Sequence, residues 1–207
     1  MSSRDAILAS VRANLPKATS PLPKPALFDQ SPPTSLVETF KNSLTRMGGR
    51  IVEPGPAEDP LAPARALIEQ SRLACSATTE VASELDLAAI VEPRDLADVD
   101  YAVVRAVFGV AETGSVLLTD ETLKVNAVAY LAQHLVVLLD PSDIVANLHN
   151  AYARPELGER CYTVFHSGPS ATADIEGVLI LGAQGVRSLS IVLAPRPAEP
   201  PEVNLRV

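Results

Sequence analysis

The chain has no tryptophan, and aromatic residues fill only 4% of its 207 positions. A core must therefore be assembled from leucine, valine, isoleucine and alanine. Cysteine is nearly absent too. Cys75 and Cys161 stand far apart with no C-x-x-C run, so no iron–sulfur cluster or zinc site is encoded in the usual way. The three histidines form no H-E-x-x-H or H-x-H pattern, and no metal is expected. A Walker A lysine, a G-x-G-x-x-G after a strand and a G-x-S-x-G elbow are all missing. Basic residues are outnumbered, 17 against 25 acidic, for a net charge of -8. That balance argues against nucleic acid or an anionic membrane as the main partner. No apolar run is long enough to span a bilayer, and residues 1–15 are too polar for a secretory leader. The expectation is a cytoplasmic protein with reduced thiols.

What is present divides the chain. Residues 1–15 carry Ile7, Leu8, Val11 and Leu15 on one helical stripe. Residues 16–34 are proline-rich and read as an extended linker. Residues 35–194 form the α/β body, and residues 195–207 a loose tail with several prolines. Ser35-x-x-Glu38 is a capping box opening a helix whose inward face is Leu36, Val37, Phe40, Leu44 and Met47, closed by Gly48-Gly49. Strands are predicted over residues 50–53, 73–76, 88–91, 101–110, 115–119 and 135–139. Helices are predicted over residues 60–71, 79–85 and 123–132. A further helix after Asp140-Pro141 is predicted to carry Ile144, Val145 and Leu148 inward.

The body is organised around residues 161–193. An apolar run over residues 162–165 predicts a strand, and His166-Ser167-Gly168-Pro169 breaks it. A helical pattern from Ser170 then turns Ile175, Val178, Leu179 and Leu181 inward, and residues 188–193 predict the next strand. This is a βαβ unit, so a parallel sheet covered on both faces is expected. Gly168 permits unusual backbone angles, and Pro169 suits a helix start. Ser170 or Thr172 can cap that start, with Asp174 and Glu176 at the positive end of its dipole. Such a turn is a ligand site in many open α/β sheets, or simply a well-capped helix start.

Three groups of residues could carry chemistry. In Ala111-Glu112-Thr113-Gly114-Ser115, a carboxylate sits beside glycine between two apolar strands. It is either a solvated group on a hairpin turn, or a general base, nucleophile or ligand for a cationic group. His134 precedes an apolar strand, where a lone histidine reads as a hydrogen-bonded residue at the strand edge. Ser167, Ser170 and Thr172 are more plausible as caps or hydrogen-bond donors to a ligand than as nucleophiles, because no triad surrounds them.

AETGS and SGPSATADIE together resemble the signature of the LUD domain, of the lactate utilization protein C type. Weaker matches are the leader helix, the Gly48-Gly49 stop and the Leu131-Ala132-Gln133-His134-Leu135 segment. The chain departs from the family where Gly182-Ala183-Gln184-Gly185-Val186 replaces a histidine-containing run. The resemblance implies a Rossmann-like α/β/α sandwich like that of the glucosamine-phosphate deaminase, ribose-phosphate isomerase and coenzyme A-transferase superfamily. It implies a cluster-free accessory subunit in bacterial oxidation of L-lactate to pyruvate, beside iron–sulfur partner proteins. Glu112 and His134 are the catalytic candidates, a free-standing enzyme using Glu112 with His134 or Asp174. Thr113, Gly114, Ser115, Ser167, Gly168, Ser170, Thr172 and Asp174 would line a site for a small anionic or acyl ligand. A free-standing isomerase- or transferase-like enzyme and a small-anion-binding module are the alternatives.

Overall fold

The computed structural model describes residues 2–15, 21, 23–28, 31, 33–158, 162–174 and 176–197. Helix α1 (Ser3–Ala13) is closed at its start by a reciprocal Ser2–Asp5 capping box and buries none of its residues. Helix α2 (Leu36–Arg46) is capped by Ser35, whose hydroxyl accepts from the Glu38 N–H. Its Phe40 and Leu44 are fully buried, whereas Met47, expected inward, is 52% exposed. Strand β1 (Arg50–Ile51), helix α3 (Ala62–Glu69) and strand β2 (Ala74–Ser76) follow.

Residues 101–110 divide between two sheets. Strand β3 (Tyr101–Arg105) ends before Ala106-Val107, and β4 (Phe108–Val110) starts a second sheet with β5 (Ser115–Thr119). Two one-turn helices, α4 (Asp120–Leu123) and α5 (Val128–Leu131), take the place of the single helix expected there. Strand β6 (His134–Leu139) lies as expected. After Asp140, Ile144 and Val145 form strand β7 (Ile144–Val145) rather than a helix, and α6 (Leu148–Tyr152) begins only beyond them. Residues 79–85 make turns, and residues 87–89 a single 3-10 turn where a strand was expected.

The sequence around residue 170 folds differently from expectation. Strand β8 (Thr163–His166) is half-buried and runs antiparallel to β5, so it is no part of a βαβ unit. Strands β9 (Ala171–Thr172) and β10 (Ile180–Leu181) pair antiparallel where a helix was expected. The chain reverses through Glu176 and Gly177, at φ 55° and 69°. Two consecutive residues in the left-handed region cannot lie inside a right-handed helix. Val178, Leu179 and Leu181 consequently face solvent at 60%, 66% and 52% exposure. Strand β11 (Ser188–Leu193) is fully consistent with its apolar run.

The central sheet has the order β1-β11-β6-β3-β2, with every pair parallel. Side chains alternate across it, as the two-residue period of a strand requires. Val103, Val136, Leu138 and Val192 pack with Ala64 of α3 on one face. Ala102, Val104, Leu135, Val137, Leu189 and Ile191 pack with Phe40 and Leu44 of α2 and with Val116 and Leu118 of the second sheet on the other. Topology explains the division. The β1-to-β2 crossover traverses the sheet in one direction through α3, and every later connection returns in the opposite direction. Right-handed crossovers then put α3 on one face and the later connections on the other. The fold is mixed α/β with a parallel central sheet. The layer opposite α3 is not the expected row of helices. It is a four-stranded sheet of order β7-β4-β5-β8 together with helices.

The start of the expected loose tail is tied down. Arg196 donates from its backbone N–H to Asp140 (2.6 Å), from Nε to Asp143 (2.7 Å), and from Nη2 to the carbonyls of Ala106 and Val107. Nearby, Arg105 makes a two-pronged, nearly buried pair with Glu80 and donates to the Ala194 carbonyl. Residues 198–207, Cys161 and residues 16–20 of the linker lie outside the described residues. Cys75 is a buried free thiol that burial pushes up to about 11. Among the described residues no helix is long and apolar enough to cross a membrane. None of them form a group of three His, Cys, Asp or Glu side chains that could hold a metal ion.

Candidate functional site

The two unusual turns meet. Strands β4 and β5 are joined by Ala111-Glu112-Thr113-Gly114, and β8, on the far side of β5, ends at Ser167-Gly168-Pro169-Ser170. The Ser167 hydroxyl donates to the Thr113 carbonyl at 3.0 Å, and the Ser115 hydroxyl donates to Thr113 Oγ1 at 2.7 Å. Both turns press on the last turn of α2. Gly114, at φ 64°, has the backbone of Leu44 where a Cβ would stand. Gly168, at φ 76°, has the Met47 carbonyl oxygen there. Only glycine combines those angles with that clearance. Pro169 packs on Gly48.

The turns sit beside the amino edge of the parallel sheet, whereas a ligand turn that follows a strand of such a sheet lies at its carboxyl edge. The Ser170 N–H donates to the Val186 carbonyl, just before β11. The Arg187 N–H donates to the Gln133 carbonyl, just before β6.

The side chains, however, face two separate cavities. Glu112 is exposed, and its Oε2 accepts from the Leu148 N–H at 3.1 Å, satisfying the first free amide of α6. It lines a cavity of about 550 Å³ with Phe28, Ser31, Thr39, Asn147 and His149. The proline-rich segment forms one wall. Asn147 Nδ2 donates to the Leu27 carbonyl at 2.9 Å, and the Phe28 ring lies 4.8 Å from that of His149. Ser167, Gly168 and Ser170 line a second cavity of about 270 Å³ with Tyr130, His166 and Gln184. No residue lines both.

His134 belongs to neither cavity. It opens β6, shares a 2.8 Å hydrogen bond between Nδ1 and Ser188 Oγ, and stacks on Tyr101 with centroids 4.7 Å apart. Burial, then the nearby charge of Arg50, holds its pKa below the usual histidine value. The structure thus gives Glu112 a backbone amide and His134 a serine as partners, and no hydrogen bond joins the two. Thr172 lies on β9, where its Oγ1 accepts from the Asp174 N–H at 3.3 Å. Asp174 is exposed at a hairpin turn, so the helix dipole expected to favour it does not exist.

His166 precedes the Ser167-Gly168-Pro169 turn and could on that ground lie near the site, but it was not among the residues expected to line it. It ends β8, opposite Val116, with the Tyr130 ring 5.4 Å away. Its Nε2 is shut off from solvent and has no hydrogen-bond partner among the described residues. Burial lowers its pKa from the histidine value of 6.5. Its position directly before Ser167 was the only signal. The loop at residues 184–186 that completes its cavity comes from elsewhere in the sequence.

Comparison with known proteins adds the following. No curated protein matches the chain. Among solved structures, it is similar to a DUF162 family protein from Deinococcus radiodurans, with a TM-score of 0.55 at 15% identity. That match covers 77% of this chain and 96% of the other, and at this identity it bears on the fold alone. The LUD domain family model matches residues 87–194, just over half the chain, and takes in both turns and both strands that precede them. The chain belongs to the LUD domain family.

Proposed function

We propose that the chain is the cluster-free accessory subunit of a bacterial L-lactate utilisation system. In this reading iron–sulfur partner proteins oxidise lactate to pyruvate in the cytoplasm, and this chain holds a small anionic or acyl ligand for them or brings them together. Membership of the LUD family supports the setting, since the family is associated with lactate utilisation. The observation that carries the subunit role is α1. Ile7 and Val11, on a helix of 11 residues that buries nothing, are 64% and 54% exposed, and Leu15 just beyond its end is 57% exposed. A helix of that length is marginal in water without a surface to pack on. Its apolar stripe fits a groove on a partner protein.

The test is genetic and biochemical together. A strain lacking this gene is grown on L-lactate and complemented with the wild-type chain or with the Ile7→Lys, Val11→Lys double variant. The reading expects wild-type rescue, loss of rescue by the variant, and loss of co-purification with iron–sulfur proteins from the same strain. Full rescue by the variant overturns the subunit role.

A second reading, a free-standing isomerase- or transferase-like enzyme or a small-anion-binding module, draws on the two cavities. The separate surroundings of Glu112 and His134 favour binding over catalysis within that reading.

A further inference from the structure

Among the described residues two buried side-chain atoms lack a hydrogen-bond partner, Asp120 Oδ1 and His166 Nε2, and of these only His166 lines one of the two cavities. A buried polar atom without a partner keeps the full penalty of losing its water, and folded proteins keep few of them. The cavity beside it holds about 270 Å³. With water taking about 30 Å³ per molecule, a ligand of a few heavy atoms and some solvent fit.

The walls define the ligand's charge. The chain carries 25 acidic residues, yet none lines this cavity. Ser170 Oγ and the Gln184 amide have no hydrogen-bond partner among the described residues and can both donate. Ser167 has committed its hydrogen to Thr113, and Tyr130 shares its hydroxyl with Tyr162. Ser170 Oγ, the exposed Gln184 amide and, in one tautomer, His166 Nε2 can each offer a hydrogen, so a guest that brings acceptors can be satisfied here.

We propose that the cavity between the Ser167–Ser170 turn and residues 184–186 binds a small monocarboxylate, received by His166 Nε2, Ser170 Oγ and the Gln184 amide. The choice of a monocarboxylate over other acceptor-bearing guests rests on the lactate reading proposed above. The groups facing His166 are the Tyr130 phenol from α5, and Ser167, Ser170 and Gln184 from the loops. Val116 of β5 stands opposite, and Arg187, next to Val186, is exposed. With no charged side chain lining the cavity, an arriving carboxylate favours the imidazolium, and binding takes up one proton at His166.

The experiment uses the full chain with isotope-labelled histidine, whose three ring systems are followed by NMR. L-Lactate, pyruvate, acetate and uncharged lactamide are the probes. The His166 ring signals are expected to move saturably with the carboxylates and not with lactamide. Affinity is expected to fall as pH rises, by no more than tenfold per unit for a single proton. His166→Phe is expected to abolish binding. Because that variant can fail to fold, Ser170→Ala provides a second arm, expected to weaken binding about fivefold, with Thr45→Ala, exposed on α2 and outside the cavity, leaving it unchanged. Unmoved His166 signals with every carboxylate mean that only water fills the space, and overturn the proposal. An equal response to lactamide, or a response confined to His149 beside Glu112, also overturns it. Binding of acetate without L-lactate or pyruvate upholds the site and counts against the lactate setting. Carboxylate binding in a chain that fails to restore growth separates the site from the subunit role.

Discussion

Ser167 donates its hydroxyl hydrogen to the carbonyl oxygen of Thr113 at 3.0 Å, across 54 residues of sequence. This single bond fastens the turn after β8 to the turn between β4 and β5. Ser167→Ala leaves the Thr113 carbonyl without this donor and is expected to cost about 1 kcal/mol. Urea unfolding checks it, with a lowered midpoint and an unchanged slope.

Gly114→Ala is expected to be far more damaging. The added methyl meets the Leu44 backbone, at φ 64°. Neither obstacle yields without moving α2, so a loss of at least about 2 kcal/mol is expected. Gly168→Val meets the Met47 carbonyl in the same way and should fail similarly. Thermal melting of the soluble fraction distinguishes these outcomes from a tolerated change.

Glu112→Gln keeps an oxygen for the Leu148 N–H and removes only the charge. On an exposed residue the stability change is expected within about 0.5 kcal/mol. A melting temperature that barely moves while growth on lactate is lost assigns Glu112 a functional contact. Unchanged growth assigns it to capping α6.

Acid should destabilise the protein through its histidines. His134 and His166 both have folded pKa values depressed below 6.5, each chiefly by burial. As pH falls below the unfolded value, the unfolded chain binds protons that the folded chain refuses. Stability therefore drops from about pH 6.5 downward until the folded pKa values are reached. Chemical unfolding between pH 7.5 and 5 measures the slope, and His166→Phe is expected to flatten part of it.

Arg105 and Glu80 form a nearly buried pair, each side chain about 10% exposed. Arg105→Met strands the Glu80 carboxylate and is expected to cost about 3–5 kcal/mol. Adding Glu80→Gln should recover part of that loss, which a double-mutant cycle measures.

Much of the fold was legible because the burial period matched the element. The apolar runs at β5, β6 and β11 could be buried only as strands, and Ser35 with Glu38 marked the start of α2. The misread segment at residues 170–181 has apolar residues that fit a helix, but nothing local shows that they face solvent. Only Glu176-Gly177, a turn signal weaker than Asn-Gly, pointed to a hairpin. Likewise, residues 101–110 carry no mark of the change of sheet at Ala106-Val107, because both strands are buried and apolar. The candidate site was half legible. Two polar turns in an aliphatic chain suggested a shared location, and Ser167 and Thr113 do meet. Their separation into two cavities depends on Phe28 and on residues 184–186, which are remote in sequence from either turn.

The pairing of β1 with β11 has a consequence for how the protein is made. Arg50 Nε reaches Ser190 Oγ across 140 residues of chain. During vectorial synthesis β1 leaves the ribosome early, with its sheet partner still untranslated. Until β11 emerges, Phe40 and Leu44 lack Leu189 and Ile191 on the sheet face they help to cover. The amino-terminal third of the nascent chain is therefore the stretch most in need of chaperone protection, and the edge formed by β1 is expected to close last.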